Sequence, residues 1–216
     1  FGAVYDNWDL LDKQIRDNKI EKQSAIEQIT FLHRVLKNTY ADLQNKELFQ
    51  FPVSGYRAGS IGGKNGNEFK PKGYNFFDGT SHKGHAAVDI FIKDANQDSL
   101  DDNTGKYVDI LTHASGVVIS INTEWEYPSE IRGGKYVWIF SPDSDRYCYY
   151  AHLSAIDVKI GDIVKAGQKI GLLGRTGKNA YPKRSPTHLH FGCLSFDNGK
   201  MTPYNTYRDL LKASKR

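Results

Sequence analysis

Residues 186–192 read PTHLHFG, a short stretch in which one residue separates two histidines, His188 and His190. Side chains alternate between the two faces of a β-strand. If this stretch is a strand, both histidines share one face and Leu189 and Phe191 share the other. The apolar pair then packs in a core, while the histidine pair faces solvent, a metal or a substrate cleft. The pattern alone leaves these alternatives open.

Short segments rich in β-branched and aromatic residues surround this stretch from about residue 85 onward. No helical stretch between them is long enough for a parallel crossover, so we predict an antiparallel sheet and a mainly β fold. An aromatic content of 12%, with 13 tyrosines, agrees with this fold class. The predicted strands are 88–92, 107–111, 116–121, 135–140, 146–153, 169–174 and 188–194.

The first part of the chain has a different pattern. Apolar residues recur every three or four positions from residue 6 to about 46, which predicts an N-terminal helical arm. Asp17 and Asn18 mark either a bend between two helices or a point within one long helix. Residues 58–80 contain many Gly residues and predict a long loop of the kind that forms functional rims or lids. The tail, 204–216, predicts a short helix.

Composition restricts the class of protein. The 216 residues carry 25% charged residues and a net charge of +4, without the basic and aromatic motifs that bind nucleic acid. No apolar stretch is long enough for a transmembrane segment. The chain begins at Phe1, which suggests a trimmed form whose signal peptide is not part of it. The two cysteines exclude a cysteine-built zinc site, and counting along regular strands places Cys148 and Cys193 on opposite faces, so we predict two free thiols.

Four histidines and one aspartate stand out in the β region. His85 and Asp89 lie in GHAAVD, His152 lies in YYAHLS, and His188 and His190 form the pair described above. Catalytic zinc needs three protein ligands and one open position for water. His85, Asp89 and one histidine of the pair would supply such a set. The remaining histidines could then accept a proton and stabilise a developing oxyanion.

These motifs also carry a family resemblance. H-x₃-D, Y-A-H-L-S and H-L-H-F, in this order, resemble the lysostaphin-type zinc metallopeptidases, the gly-gly endopeptidases of bacterial cell-wall hydrolysis. The turn-rich run at 161–177 matches the family's stretch between the second and third motifs, and the resemblance covers residues 82–195. It implies a small antiparallel β-sheet catalytic domain (duplicated hybrid, lysostaphin-like) that hydrolyses peptide bonds of peptidoglycan.

Residue by residue, the resemblance implies that His85, Asp89 and His190 bind one catalytic Zn²⁺. It assigns His152 and His188 as the catalytic pair that does not bind metal. The implied partner is a peptidoglycan peptide, and the implied location is exported, in the periplasm or at the cell surface of a bacterium. The residue patterns and the resemblance together predict four parts. These are a helical arm at 1–50, a loop-rich connector and cleft rim at 51–80, a zinc metallopeptidase β domain at 81–200 and a C-terminal short helix or tail at 201–216. The resemblance implies only the third part.

Two other functions compete with the enzyme. Some relatives of this family are non-catalytic adaptors that activate other wall hydrolases, and the N-terminal helices would suit docking to a protein partner. Those relatives typically lack the metal ligands that this chain carries. Alternatively, the chain is a latent enzyme whose helical arm or 58–80 loop covers the groove.

The sequence departs from the family pattern in two loops. Residues 93–106 are longer and more acidic than expected, and their spacing partly matches a calcium loop, although Ser99 replaces the central Gly and no Glu closes the loop. The loop is either a second cation site, for Ca²⁺, or a plain solvated acidic loop. The candidate ligands are Asp94, Asn96, Asp98 and Asp102. The basic loop 178–186 should rim the cleft.

The remaining histidines have structural interpretations. We expect His33 to be a surface or packing residue, His82 to be a loop residue near the cleft, and His113 to be a surface residue at a strand end. The oxyanion-assisting tyrosine that the family implies has no clear counterpart among the 13 tyrosines, of which Tyr74 is the candidate.

Overall fold

The computed structural model describes residues 2–43, 49–183 and 185–215. These residues form three α-helices and one antiparallel sheet of nine strands. The helices are α1 (Gly2–Arg16), α2 (Lys22–Thr39) and α3 (Tyr207–Ala213). The strands are β1 (Val88–Phe91), β2 (Asp109–Leu111), β3 (Gly116–Asn122), β4 (Lys135–Ser141), β5 (Arg146–Ile156), β6 (Ile163–Val164), β7 (Lys169–Leu173), β8 (His188–Asp197) and β9 (Lys200–Tyr204).

The longest strands lie at the centre of the sheet. The main strand order is β1-β8-β5-β4-β3-β6, while β7 pairs with β5 and β2, and β9 pairs with β8. Every pairing is antiparallel, as the sequence predicts. The loop predicted at 58–80 runs beside the free edge of β1, where Ile61 forms a bridge to Ile90. This bridge covers backbone groups that an edge strand would otherwise expose.

The helical arm packs against one face of the sheet. Its apolar stripe joins strand residues in a core around Trp8, whose ring lies 5.9 Å from that of Trp138. The bend at Asn18 is present, with a left-handed φ of 54°, and Glu21 caps α2 by accepting a hydrogen bond from the Ser24 amide. The part of the predicted arm at 44–48 lies outside the described residues. A second core, which includes Leu189 and Phe191, lies on the other face.

The prediction of two free thiols is wrong. Cys148 and Cys193 are direct cross-strand partners on β5 and β8, with Cα atoms 4.2 Å apart, and they form a disulfide. The parity count fails because it starts from His152. There β5 carries one extra residue relative to β4, and His152 has a left-handed φ of 69°. Such a bulge shifts the alternation of side chains by one position.

His113 also differs from its predicted surface position. It is 1% exposed, and its ring stacks on Phe49 at 4.6 Å between centroids. Its Nδ1 lies 2.7 Å from the Gln50 carbonyl oxygen. Burial lowers the pKa of His113 to about 4, so it is a neutral core residue at pH 7. The expectation failed because residues 49–51 cover this strand end, which the strand's own sequence does not show.

Candidate active site

Three of the residues singled out from the sequence meet at one point. The Nε2 atom of His85 lies 3.2 Å from Asp89 Oδ1 and 3.2 Å from His190 Nδ1, and His190 Nδ1 lies 3.0 Å from Asp89 Oδ1. Zinc binds such donors at about 2.0–2.2 Å, which places tetrahedral ligand atoms about 3.3 Å apart. The two imidazoles and one carboxylate therefore fit a zinc ion. Among the described residues they are the group that could hold a metal.

Sheet register places these ligands. Asp89 on β1 and His190 on β8 are direct antiparallel partners, so their side chains lie side by side on one face. His85 precedes β1 and exchanges two backbone hydrogen bonds with Lys70, both 2.8 Å long. The Nδ1 atom of His85 lies 3.0 Å from the Glu68 carbonyl oxygen. This contact turns Nε2 toward Asp89, as outer partners of metal-binding histidines commonly do.

The alternation predicted for PTHLHFG is present in β8. His188 and His190 both line one groove, whereas Leu189 and Phe191 are fully buried in the core on the opposite face. The Nδ1 atom of His188 lies 2.6 Å from the Pro186 carbonyl oxygen, and its Nε2 lies 3.8 Å from Asp89 Oδ2. An Nδ1–H that donates to this carbonyl leaves the Nε2 lone pair facing the groove.

His152 reaches the same groove through its bulge. Its ring centroid lies 5.0 Å from that of His188 and 5.7 Å from that of His190. Its Nδ1 lies 2.8 Å from the Thr176 carbonyl oxygen, so an Nδ1–H donated there leaves Nε2 unprotonated. Its backbone N–H donates to the Gly133 carbonyl at 2.9 Å. Without the left-handed backbone at this residue, regular alternation would point His152 into the opposite core.

Burial and neighbouring charges shift the pKa values of Asp89, His85 and His152. Burial opposes the ionised form of Asp89, but hydrogen bonds from His190 and His85 outweigh it and hold the pKa of Asp89 well below its usual value. Burial also opposes the charge of His85, yet its contact with Asp89 raises its pKa. Burial, followed by repulsion from His188 and His190, holds the pKa of His152 well below its usual value. His152 is therefore neutral at pH 7.

The groove around the site encloses about 290 Å³. Asp12 and Arg16 of α1 form part of its wall, together with Tyr74 and Phe76 from the predicted 58–80 loop. His82 also lines the groove, as expected for a loop histidine near the cleft. The ring of Tyr74 packs against His82 with centroids 4.7 Å apart, which places this tyrosine in the groove without assigning it a role.

Some groove residues carry no signal in the sequence. Asp12 lies in an ordinary amphipathic helix and Arg132 in a turn, and only the packing of the helix and the turn against the sheet places them in the groove. Trp138 and Tyr149 also line it.

The four candidate ligands of the acidic loop have partners within the protein. Asp94 accepts hydrogen bonds from the amides of residues 98 and 99 and from the hydroxyl of Thr187. Asp98 accepts from the Leu100 amide, Asp102 from the Ala95 amide, and the Asn96 side-chain oxygen from the Asp98 amide. Asp94 therefore ties the loop to the residue just before His188. A second cation stays an untested prediction.

His33 packs as expected. Its Nδ1 lies 2.8 Å from the Tyr147 hydroxyl, and its ring lies 4.8 Å from that of Phe196. No helix in the described part of the chain is both long and apolar enough to cross a membrane.

Parts of the chain are similar to known proteins. The chain is 42% identical over 72 residues to lysostaphin from Staphylococcus simulans. The aligned segment is 32% of this chain and 14% of that protein. It is 44% identical over 68 residues to the glycyl-glycine endopeptidase ALE-1 from Staphylococcus capitis, which covers 31% of this chain and 17% of that protein. The matched part of this chain is thus a small fraction of either relative.

A solved structure supports the fold. A protein from Ruminococcus gnavus that carries the name of the glycyl-glycine endopeptidase lytM superposes with a TM-score of 0.52. The two are 24% identical, and the superposition covers 88% of this chain and 72% of that one. The profile of peptidase family M23 matches residues 95–203, about half of the sequence, including His152, His188 and His190 but neither His85 nor Asp89. The chain belongs to peptidase family M23.

Proposed function

We propose that this protein is a zinc-dependent endopeptidase that hydrolyses peptide bonds of bacterial peptidoglycan. The observation that carries the proposal is the convergence of His85, Asp89 and His190 beside His152 and His188 in one groove. Structural metal sites usually complete four protein ligands, whereas three ligands beside two further imidazoles leave room for water. Membership of the peptidase family supports the same reaction class.

The groove residues have separate tasks in this proposal. When bound, a zinc ion at His85, Asp89 and His190 acts as a Lewis acid and lowers the pKa of water. The Nδ1 atoms of His152 and His188 lie 2.8 Å and 2.6 Å from carbonyl oxygens, so in a neutral ring each Nε2 lone pair faces the groove. One of the two histidines accepts a proton from the attacking water and returns it to the leaving amine nitrogen. The other, after taking up a proton from solvent, donates a hydrogen bond to the oxyanion of the tetrahedral intermediate.

The relatives and the disulfide support the proposed substrate class and location. Lysostaphin and ALE-1 are 42% and 44% identical to parts of this chain, and ALE-1 is by name a glycyl-glycine endopeptidase. Disulfides such as Cys148–Cys193 persist mainly in oxidising compartments. Both observations support an exported protein that acts in the periplasm or at the cell surface.

The proposal is tested with purified sacculi and zinc-loaded full-length protein. We expect His152→Ala and His188→Ala to retain about one zinc per chain by mass spectrometry but to lose about 10²- to 10⁴-fold in release of soluble fragments. His190→Ala should lose both zinc and cleavage. His33→Ala removes an imidazole outside the groove and should keep both. Cleavage that persists after zinc is stripped from the wild-type protein would contradict the proposal.

The adaptor alternative gives a different result in the same assay. An adaptor would release no fragments by itself at any zinc concentration and would instead stimulate a separate wall hydrolase. His188→Ala would then leave that stimulation unchanged, because the groove would take no part in it.

A further inference from the structure

One positive charge in the groove has no acidic partner among the described residues. Arg16 and Arg132 both line the groove, but the guanidinium of Arg16 pairs with Asp17 at 2.7 Å and also donates to Asn122 and Tyr136. Arg132 donates through Nη1 to the His82 carbonyl at 3.0 Å. Across residues 2–43, 49–183 and 185–215, no carboxylate lies within 4.0 Å of the Arg132 guanidinium.

The neighbouring acidic groups do not neutralise Arg132. Asp12 and Asp89 are the carboxylates among the lining residues. Asp12 accepts hydrogen bonds from Ser120 and Tyr136, and Asp89 contacts His85 and His190. With a zinc ion at the three ligands, the groove therefore carries a net positive charge. Keeping a half-buried cation without an acidic partner costs free energy, so Arg132 is a candidate for binding an anionic group.

The backbone holds Arg132 in a fixed position relative to the catalytic candidates. The carbonyl of Ile131 accepts a hydrogen bond from the Lys178 amide at 3.1 Å, and the carbonyl of Gly133 accepts one from His152 at 2.9 Å. A Cβ atom on Gly133 would lie 1.9 Å from the Tyr149 hydroxyl, so this turn packs directly against the groove wall. The residues on both sides of Arg132 are thus tied to the loop and strand that carry the site.

The charge of Arg132 also reaches other groove residues. Burial lowers the pKa of His82 to about 4, and the positive charge of Arg132 adds to this effect. His82 is therefore neutral at pH 7 and does not compete with Arg132 for an anion. The Nδ1 atom of His82 is buried without a hydrogen-bond partner among the described residues.

We propose that Arg132 binds a free carboxylate of the substrate peptide close to the scissile bond. The guanidinium uses one donor on His82 and keeps its remaining N–H groups for a carboxylate, which it can bind with two parallel hydrogen bonds. The groove would then prefer bonds in or next to stem peptides, which carry carboxylates, over bonds within an all-glycine bridge, which carries none. This inference rests on the proposed function, since it names the substrate of the same groove.

The test uses two peptides of one sequence that differ only in whether the carboxyl group beside the scissile bond is free or amidated. For the zinc-loaded wild-type chain we expect a KM about 10- to 100-fold lower for the acid than for the amide, with similar kcat. Arg132→Gln should remove this difference by raising the KM of the acid alone. Arg132→Lys keeps the positive charge but loses the paired N–H donors of the guanidinium, so it should retain part of the difference in KM.

Lys178→Gln is the matched control. It removes one positive charge at a residue that is paired with Glu130 and precedes the groove residue Asn179, and it should leave the ratio of the two KM values unchanged. If Arg132→Gln lowers cleavage of both peptides by one factor, Arg132 only holds His82 in place and the inference is wrong. It is also wrong if the wild-type chain treats both peptides alike.

A failure of the proposed function gives a distinguishable result. If the zinc-loaded wild-type chain cuts neither peptide, calorimetric binding of the same two peptides still tests Arg132. Tighter binding of the acid that disappears in Arg132→Gln would support the carboxylate site without the reaction. Equal binding of acid and amide would overturn it.

Discussion

At the scale of single residues, the position of His152 depends on Gly177. This glycine has a left-handed φ of 109°, and a Cβ there would lie 2.3 Å from the Arg132 carbonyl oxygen and 2.9 Å from His152 Nδ1. We expect Gly177→Ala to displace His152, and so to lower peptide cleavage at least about 10-fold, because small misplacements of a catalytic group are costly. Zinc content should stay unchanged, since no metal ligand moves. Steady-state cleavage and zinc analysis check this expectation.

Gly105→Ala is the control for backbone strain. Gly105 also has a left-handed φ, of 66°, but a Cβ there would meet nothing within 4 Å. Both substitutions therefore carry a cost of about 1–3 kcal/mol in stability, but only the one at Gly177 should affect cleavage. Equal activity of the two variants would show that the contact with His152 does not matter.

The raised pKa of Asp12 in the folded protein predicts that stability depends on pH. Burial raises its pKa to about 6, although hydrogen bonds from Tyr136 and Ser120 partly offset the burial. A carboxyl group with a raised pKa in the folded state binds more protons folded than unfolded. Its stabilising contribution is therefore fully present below its ordinary pKa of 3.8 and is lost as the pH rises through about 6.

The comparison with Asp12→Asn isolates this contribution. The free energy of unfolding of the wild-type protein, relative to that of the variant, should fall by about 3 kcal/mol between pH 3.5 and pH 7, since about two pKa units are involved. Urea unfolding at a series of pH values measures the difference. A difference that stays constant with pH would mean that Asp12 keeps an ordinary pKa in the folded protein.

The sequence predicts on which face of the sheet a side chain lies where the strand is regular, and fails to do so where the strand is irregular. His188 and His190 follow the alternation of β8, so their shared face could be predicted from spacing alone. His152 does not, because its left-handed backbone reverses the face on which its side chain lies. Nothing in YYAHLS indicates the bulge. The order of the sequence motifs, and not strand alternation, groups His152 with His188 and His190.

At the scale of elements, the disulfide joins the two central strands that carry the candidate catalytic histidines. Cys148 on β5 and Cys193 on β8 are 45 residues apart in the chain, so the bond restricts a long loop in the unfolded state. Loop-closure entropy for this length is about 4 kcal/mol. We expect the double variant Cys148→Ala, Cys193→Ala to lose about 3–4 kcal/mol of unfolding free energy. Denaturant unfolding measures this loss.

Intact mass under non-reducing conditions provides the check on this bond. The wild-type protein should weigh about two hydrogens less than the sum of its residues with free thiols. Adding a reductant should lower wild-type stability toward that of the double variant and leave the variant unaffected. Two free thiols in the purified protein would contradict the bond.

Seven of the nine strands could be predicted from the sequence, and physical causes explain why β6 and β9 could not. The seven strands with runs of β-branched and aromatic residues could be predicted, because each fits a half-buried pleated surface. The strand β6 has only two residues, and β9 contains Pro203, which favours turns and edges over strand interiors. Short strands of this kind form because a neighbour pairs with them. Their own sequence gives no comparable signal.

At the scale of the whole molecule, the helical arm and the sheet share one core. On helix α1, Asp9 and Asp12 accept hydrogen bonds from the Ser120 hydroxyl of β3. Gly79 of the groove wall packs against the last turn of α1. The amphipathic stripe predicts that the arm packs against something, but the pattern cannot name the partner. The structure places it on the sheet face that also carries the groove. Stability of the arm and integrity of the groove should therefore change together.

Trp8 is the residue that tests this coupling. It is 1% exposed, and its ring stacks on Tyr147 at 5.6 Å between centroids. We expect Trp8→Ala to cost about 3–5 kcal/mol of unfolding free energy, because it leaves a large cavity between helix and sheet. Leu10→Ala on the same helix removes a side chain that is 55% exposed and should cost less than about 0.5 kcal/mol. Helical circular dichroism and tryptophan fluorescence should report one coincident transition for the wild-type protein and for both variants. Separate transitions, with the helical signal lost first, would instead show that the arm folds independently of the sheet.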